Sequence, residues 1–241
     1  MAPNLRNRGR SHYLKMDKKK LIVFLPAYNE SAHISSVITE SRRFTDSVVV
    51  IDDGSTDDTI VVAQSSSAVV LLNNKNCGYG FTIQRILQEA RSNNIVTLVI
   101  LDADGQHSPA DIPRLVEAVE DGYDLVIGCR AGRDVPGYRR IGGTILSVFT
   151  FALSGRWVRD SQCGFRAYSY RAVDLIRPKE NGMAVSSEIV ALAAWASLKI
   201  MEVPISVKYL EDSSTHNPVK QGFYTLWRLV VMIARKRLLG E

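Results

Sequence analysis

The sequence predicts an α/β protein with a doubly wound, mostly parallel sheet flanked by helices. Short apolar runs rich in β-branched residues alternate with amphipathic segments over the first 130 residues, as expected for successive strand–helix–strand units. The runs are continuously apolar, which is typical of parallel strands buried on both faces. Acidic residues directly follow several of these runs. Open α/β sheets bind ligands beyond the carboxyl ends of their strands, so the same pattern predicts a polar site there.

The predicted strands are apolar runs bounded by polar or turn residues, and they cover Leu21–Leu25, Ser47–Ile51, Ala68–Leu72, Ile95–Leu101, Asp124–Gly128 and Val203–Val207. The last strand is expected at a sheet edge, because Pro204 has no amide hydrogen to donate to a ladder. Helical periodicity predicts helices at about 31–44, from 57 onward, and at 81–92, 111–120, 141–153, 188–198 and 222–239. This order of elements is consistent with right-handed crossovers in a single main domain.

Charge divides the chain into three parts. The 241 residues have a formal net charge of +5, but residues 1–20 alone contain seven basic residues and one acidic residue. We therefore expect a basic flexible arm at 1–19, a main domain at 20–218 and a basic amphipathic helix at 219–241. Because the remaining chain is close to neutral, no nucleic-acid-binding face is expected.

Cysteine usage and hydropathy indicate the compartment. Cys77, Cys129 and Cys163 are widely spaced and odd in number, and no C-x-x-C pair occurs, so neither a zinc site nor a disulfide framework is predicted. This usage is typical of a reducing, cytoplasmic setting. The N-terminus lacks the apolar core of a signal peptide, and no apolar run reaches the roughly 18 residues needed to span a bilayer.

The strongest chemical motif is Asp102–Gln106, D-A-D-G-Q, directly after the central strand. Two carboxylates one residue apart at the end of a buried strand are costly unless a positive group lies between them. A divalent cation bound by hard oxygen ligands satisfies this need. An alternative is that Asp104 or Ser108 caps the following helix. The full D-x-D-x-Q pattern favours a site for metal and phosphate.

A cluster of arginines follows the strand at 124–128, and its members are Arg130, Arg133, Arg139 and Arg140. Arginines at the carboxyl end of a strand, facing an acidic metal site, are expected if phosphates lie between the two. A solvated loop explains them equally well. A nicotinamide-binding fold is not predicted, because Gly78-Tyr79-Gly80 is not a G-x-G-x-x-G motif and follows the third strand.

Two helical segments are unusually apolar for a surface position. The first is Ile141–Leu153, and the second is Gly222–Leu239, which has a broad apolar side that includes Trp227. The second also contains the basic residues Arg228, Arg235, Lys236 and Arg237. Each segment is compatible with packing in the core or with lying at a membrane surface, and the sequence leaves both open.

Seven motifs occur in this order along the chain: LPAYNE, VVVIDDGSTDDT, N-x-G-x-G, LVILDADGQH, GCR, SQCGFRAYS, and a late glutamate followed by Val-Pro. Together they resemble the family 2 glycosyltransferases, whose GT-A fold is a Rossmann-like, mostly parallel sheet flanked by helices in a single domain. Within that family, residues 20–215 resemble the dolichyl- and polyprenyl-phosphate sugar transferases, such as dolichol-phosphate mannose synthase.

The resemblance implies a metal-dependent, inverting glycosyltransferase at the cytoplasmic membrane face. The donor would be a GDP- or UDP-linked sugar of mannose or glucose type, the cofactor Mg²⁺ or Mn²⁺, and the acceptor a polyprenyl or dolichyl phosphate. The enzyme would reach the membrane peripherally or through a membrane partner subunit. An attacking phosphate is already ionised at neutral pH and needs no general base. Consistent with this, Ser186-Ser187-Glu188 stands where alcohol-accepting relatives often have an acidic pair.

The family motifs also imply roles for matching residues of this sequence. The base and ribose of the donor would contact Pro26, Tyr28 and Glu30, and the base would also contact Val50 and Asp52. The diphosphate and metal would meet Asp102, Ala103, Asp104 and Gln106, with Asp102, Asp104 and Gln106 as the metal ligands. The diphosphate or the acceptor phosphate would contact Arg130 and Arg139 or Arg140. Asp102, Asp104 and Arg130 are thus the candidate catalytic residues, and a late loop with Lys208, Ser214 and His216 would close on the site.

Two positions depart from the family pattern. Tyr79 stands where relatives often have lysine, and the late loop reads 214–218, STHNP, which is closer to relatives whose sugar is not always mannose. Glu188 is expected either to stabilise a helix start or to position substrate. Asp160 and Arg166 are expected to form a buried pair near the acceptor.

Two other functions remain open at this point. One is a soluble transferase with a sugar or protein hydroxyl as acceptor, in which Glu188 or Asp160 would act as the base. The other is a non-catalytic subunit that binds a nucleotide sugar, although the intact D-x-D-x-Q motif argues against it.

Overall fold

The computed structural model describes residues 21–130, 137–208 and 218–239, without the side chains of 137–140, 218–220 and 237–239. The predicted basic arm at 1–19 lies outside the described residues, as do Arg133, Ser214 and His216. The side chains of Arg139 and Arg140 are likewise not described. Their predicted phosphate contacts therefore stay predictions.

The described chain contains one mixed sheet whose strands are β1 Leu21–Ala27, β2 Val48–Asp52, β3 Val69–Leu72, β4 Thr97–Ile100, β5 Leu125–Arg130, β6 Arg166–Ser169 and β7 Ile200–Ile205. Their order across the sheet is β3-β2-β1-β4-β6-β5-β7. The predicted α/β fold with a mostly parallel sheet is confirmed. Strand β7 pairs with β5 alone among the described strands, so the predicted edge position of Pro204 is confirmed as well.

Strand β6 was not predicted from the sequence pattern. It runs antiparallel to both of its neighbours, β4 and β5. Because β6 runs against the other strands, its amino end lies at the edge where the parallel strands have their carboxyl ends. The SQCGFRAYS motif, which precedes and includes β6, is thereby brought beside the residues that follow β4.

The helices are α1 Ile34–Ser41, α2 Thr59–Ser65, α3 Tyr79–Ser92, α4 Ile112–Glu120, α5 Gly137–Ser154, α6 Tyr170–Leu175, α7 Val185–Trp195 and α8 Pro218–Leu239. Helix α1 is shorter than the predicted 31–44, because residues 31–33 form a turn in which the Glu30 carbonyl accepts the amides of His33 and Ile34. The short α6 was not predicted. It begins at Tyr170, directly after its N-cap Ser169, whose hydroxyl accepts the amide of Ala172.

Both faces of the sheet are covered, which explains the continuously apolar strands. Ile22–Leu25 of β1 and Leu98–Ile100 of β4 are fully buried. Helix α3 packs on the sheet through residues that recur at helical spacing, among them Ile83, Ile86 and Ala90. This packing fixes the strand ends, and therefore the loops that follow them, relative to one another.

Candidate active site

The D-x-D motif directly follows β4, and its first carboxylate is held from two sides. Oδ1 of Asp102 accepts a hydrogen bond of 3.2 Å from the Tyr79 hydroxyl. The carboxylate lies against the backbone of Gly164, where a side chain would overlap it. Burial raises the pKa of Asp102, while the nearby Arg130 and Arg166 act in the opposite direction.

The second carboxylate of the motif is organised by Gln106. Asp104 accepts bonds from the Gln106 amide at 3.0 Å and from its side-chain nitrogen at 2.8 Å. The Gln106 carbonyl in turn accepts the amide of Lys208 at 2.8 Å. The structure therefore brings Asp104, Gln106 and Lys208 together, and the late loop begins directly beside the D-x-D motif.

Glu30 is a further carboxylate whose charge interacts with the motif, although no group of three acidic, histidine or cysteine side chains among the described residues is arranged to hold one ion. Burial and the neighbouring carboxylates of Asp104, Asp102 and Asp57 raise its pKa to about 8. Burial, together with the Asp102 charge, also raises the pKa of Asp104. Hard oxygen ligands with this excess of negative charge fit a divalent cation such as Mg²⁺ or Mn²⁺.

The two aspartates at the carboxyl end of β2 have different roles. Asp52 is only 1% exposed, and its Oδ2 accepts the amides of Gly54 and Ser55. Its Oδ1 is buried and has no hydrogen-bond partner among the described residues. Such an acceptor is costly unless a ligand donates to it. The carboxylate of Asp53 instead accepts hydrogen bonds from within the protein. The donors are the Asn73 side-chain nitrogen at 2.6 Å and the amides of Cys77 and Gly78.

The other residues assigned to the donor differ in exposure. Pro26, Val50 and Ala103 are buried, and Val50 pairs with Leu25 inside the sheet. Tyr28 is partly exposed in the loop after β1. The structure thus presents Tyr28 at the surface of the site, whereas the side chain of Val50 belongs to the core.

Arg130 ends β5 and is tied to Asp160 rather than standing alone. Its Nε and Nη2 each donate to a different oxygen of Asp160 at 2.6 Å. Glu202 fixes Asp160 in turn by accepting the backbone amides of Arg159 and Asp160. A bidentate pair of this kind orients the guanidinium in a defined plane.

The predicted pair between Asp160 and Arg166 is wrong. Arg166 begins β6, is only 2% exposed, and donates to the carbonyl oxygens of Ser161, Cys163 and Ser186. The physical reason is the antiparallel direction of β6, which turns Arg166 into the interior while Asp160 stays beside β5. Arg166 therefore fixes the backbone around the SQCGF segment.

Glu188 accepts the amides of Lys179 and Glu180. Glu188 also lies in the first turn of α7, which agrees with its predicted role at a helix start, whereas its predicted role toward substrate stays a prediction. Glu180 is itself buried and pairs with Arg228 of α8 at 2.8 Å. His107 is buried against Phe165, and its Nδ1 has no hydrogen-bond partner in the described part of the chain. Cys163 is buried in the core.

Helices α5 and α8 pack against each other and expose apolar residues at helical spacing. The inner side of α5 is bonded through Thr150 to Ser187 of α7 at 2.7 Å, and Leu229 of α8 is fully buried. The exposed residues, which we call the apolar surface, are Ile141, Ile145, Val148 and Phe151 of α5 with Phe223, Trp227 and Val230 of α8. No helix among the described residues is long and apolar enough to cross a membrane.

Two of the basic residues of α8 are directed inward. Arg228 pairs with Glu180, and Lys236 donates to the carbonyl of Leu153 at 2.9 Å while its ammonium lies 4.4 Å from the centre of the Trp195 ring. Of the four basic residues of the predicted amphipathic helix, Arg228 and Lys236 therefore bind groups of the protein itself. Of the other two, Arg235 is exposed, and the side chain of Arg237 is not described.

Comparison with known proteins identifies the family. The profile described as Glycosyl transferase family 2 matches residues 22–175. An uncharacterized protein of Methanocaldococcus jannaschii is 32% identical over 90% of this chain and 93% of its own length. The UDP-N-acetylglucosamine–dolichyl-phosphate N-acetylglucosaminyltransferase of Methanococcus voltae is 32% identical over 66% of this chain and 66% of its own length.

Among solved structures, glucosyl-3-phosphoglycerate synthase of Mycobacterium tuberculosis, in complex with Mn²⁺, UDP and glucosyl-3-phosphoglycerate, superposes with a TM-score of 0.70. It is 23% identical, and the match covers 90% of this chain and 79% of that chain. This likeness concerns the fold and confirms the predicted GT-A architecture. With a matching family profile over more than half of its length, a GT-A fold and the D-x-D carboxylates at the strand ends, the chain belongs to glycosyl transferase family 2 and is a glycosyltransferase.

Proposed function

We propose that this glycosyltransferase moves a mannose- or glucose-type sugar from a UDP- or GDP-linked donor to a polyprenyl phosphate at the cytoplasmic face of a membrane. The observation that carries the proposal is the placement of Asp102 and Asp104 directly after β4, with Arg130 at the end of β5, two strands away in the same sheet. Crowded carboxylates beside a fixed guanidinium suit a metal-bound diphosphate, because each part neutralises the charge of the next.

The residues present fit Mg²⁺ or Mn²⁺. Asp102, Asp104 and Gln106 would hold the ion through their side-chain oxygens, after the Gln106 amide turns away from Asp104. When bound, the ion neutralises the diphosphate leaving group as the anomeric bond breaks. The Mn²⁺ and UDP bound by the mycobacterial synthase support this assignment.

The chain's own residues bind the other parts of the donor. The unpartnered Oδ1 of Asp52 accepts an N–H group of the base, which both uracil and guanine supply. Tyr28 contacts the base and ribose beside it, and Arg130 donates to the diphosphate or the acceptor phosphate. Because Asp160 and Glu202 fix Arg130, its guanidinium is oriented before substrate binds.

The acceptor is assigned to the phosphate class because neither candidate base is available. Glu188 accepts two backbone amides, and Asp160 accepts the Arg130 guanidinium. An ionised phosphate attacks without a base, whereas an alcohol requires one. The dolichyl-phosphate acceptor in the name of the Methanococcus voltae relative supports the same class. Attack opposite the leaving group inverts the anomeric centre, so an α-linked donor gives a β-linked product.

The apolar surface of α5 and α8 is the part that meets the membrane. Helix α5 begins seven residues after Arg130, and α8 begins ten residues after Lys208. Each helix therefore follows closely in the chain after a residue of the site. With Arg228 and Lys236 directed inward, apolar contact contributes more than charge to this binding, which is therefore peripheral and reversible.

The test is a transfer assay with radiolabelled nucleotide sugars, Mg²⁺ or Mn²⁺, and a polyprenyl phosphate in detergent. We expect label from one donor to enter the organic phase, and we expect Asp104→Ala to abolish this transfer. Equal transfer to a water-soluble alcohol, without a response to lipid phosphate, would contradict the proposed acceptor. Donor binding without turnover on any acceptor would instead support a non-catalytic subunit.

A further inference from the structure

Tyr79 has a place in the site that its motif does not explain. It begins α3 between two glycines, and its hydroxyl donates to Oδ1 of Asp102, the first carboxylate of the D-x-D motif. A hydrogen bond from a neutral donor to a carboxylate is strong when both groups are shielded from water. The residue therefore contacts the metal-binding motif from an element 23 positions earlier in the chain.

The backbone before Tyr79 is fixed by Asp53. The carboxylate of Asp53 accepts the amide of Cys77 at 3.0 Å and that of Gly78 at 2.8 Å. Gly78 has a φ of +94°, a conformation that residues with a side chain rarely adopt. Asp53, directly after β2, thus sets the path of the chain into α3.

The backbone after Tyr79 is fixed by the loop at 179–182. The amide of Gly80 donates to the Asn181 carbonyl at 2.9 Å, and a side chain at Gly80 would overlap backbone atoms of this loop. The loop is anchored in turn by Glu188 and by the ion pair between Glu180 and Arg228. Both sides of Tyr79 therefore rest on groups that do not belong to its own helix.

The Asp102 carboxylate also lies against Gly164. An added Cβ at Gly164 would overlap both carboxylate oxygens. The Tyr79 hydroxyl and the backbone of Gly164 together restrict the orientation of the Asp102 side chain. A ligand whose orientation is fixed in advance loses less entropy when it binds an ion.

We propose that Tyr79 is a positioning residue of this enzyme, whose hydroxyl fixes the Asp102 carboxylate in the orientation that receives the metal and donor diphosphate. The proposal rests on the proposed function, because it takes the D-x-D motif as the metal site. On this proposal, three separate features all serve to place the Tyr79 hydroxyl. They are Asp53, the two glycines around Tyr79, and the loop at 179–182.

The test compares Tyr79→Phe with wild type. The substitution removes a single hydroxyl. Tyr123→Phe, at the amino end of β5, is the matched control with the same chemical change. Binding of Mn²⁺ is measured by titration calorimetry in the presence of UDP or GDP, and thermal melting is recorded for each protein. We expect Tyr79→Phe to weaken Mn²⁺ binding by about tenfold, the usual effect of losing one hydrogen bond to a charged group. Tyr123→Phe should bind as wild type does.

Kinetics separate positioning from a general loss of structure. In Tyr79→Phe, the metal concentration for half-maximal rate and the donor KM should rise, while kcat at saturating metal changes less. Mn²⁺ affinity and donor KM equal to those of Tyr123→Phe would overturn the proposal and leave the proposed function standing. A Tyr79→Phe protein that does not fold would also overturn it, since the hydroxyl would then be structural. Wild-type protein without Asp104-dependent Mn²⁺ binding would overturn the proposed function itself.

Discussion

The strand-end site and the apolar surface of α5 and α8 differ in what each leaves unsatisfied. At the strand ends, most polar groups of the described residues are bonded within the protein, but Oδ1 of Asp52 and Nδ1 of His107 have no partner, and carboxylate charge is in excess around Asp104. On α5 and α8, polar groups such as Thr150, Arg228 and Lys236 are directed inward, and apolar side chains are exposed. Each region therefore indicates its partner. The site suits a cation and a ligand with an N–H donor, and the helices suit an apolar phase.

The largest effect is expected from removing charge at the site. Asp104→Asn should lower metal-dependent transfer by at least about 100-fold, the size of effect seen when one preorganised electrostatic contact to a developing charge is lost. Because Asp104 repels Glu30, the same change should leave the metal-free protein as stable as wild type or more so. Initial rates and thermal melting measure the two effects. Activity within about threefold of wild type would contradict the assignment of the motif.

The second-largest effect is expected from breaking the ion pair between Arg228 of α8 and Glu180. Arg228→Met leaves the buried carboxylate of Glu180, whose side chain is 5% exposed, without its cation. We expect a loss of about 3 kcal/mol in the free energy of unfolding, at the low end for broken buried pairs because Arg228 is itself 32% exposed. Urea denaturation measures this loss. Arg235→Met, on the same helix at an exposed position, is the control and should change little.

The apolar surface should respond to polar substitution without losing its fold. Phe223 is 74% exposed and Trp227 is 59% exposed, so replacing both with serine removes little packing. Co-sedimentation with vesicles should weaken by about tenfold per residue, because each aromatic ring loses its apolar burial in the bilayer. Tyr170→Ser, at an exposed aromatic residue of α6, is the control. Equal binding of both proteins would show that another surface meets the membrane.

A fourth effect is a pH dependence of stability. The pKa of Glu30 is about 8 in the folded protein and 4.5 in an ordinary environment, so the folded state binds the proton more tightly than the unfolded state. Stability of the metal-free protein should therefore fall as pH rises from about 4.5 to about 8. Glu30→Gln should flatten this dependence, as should added Mn²⁺. A melting temperature that rises over the same range in wild type, but not in Glu30→Gln, would have the wrong sign.

The parts that local patterns determine were predictable. Apolar runs gave β1, β2 and β4, and the acidic residues at their ends gave the position of the site. The motif resemblance gave the family and the GT-A fold. Strand β6 was missed because its four residues carry no distinct apolar run and its pairing with β4 depends on chain reversal. Helix α6 was too short to show a period.

Partners far apart in the chain were not predictable. Asp160 was expected to bind Arg166, six positions away, but it binds Arg130, thirty positions away, because β5 and β6 are neighbours in the sheet. The carboxylate of Asp53 accepts hydrogen bonds from the loop at 73–78, whereas the carboxylate of Asp52 does not. This difference depends on the path of that loop, which no local sequence pattern reveals. The role of Tyr79 likewise depends on the distance between the start of α3 and the end of β4.

The most direct test combines both regions in one measurement. Transfer is followed from the same donor to a short, water-soluble isoprenyl phosphate in solution and to a polyprenyl phosphate embedded in vesicles. The account predicts that wild type uses both acceptors, that the Phe223→Ser, Trp227→Ser protein loses activity on vesicles alone, and that Asp104→Asn loses both. Equal activity of the doubly substituted protein on vesicles, or wild-type transfer to neither phosphate, would contradict it.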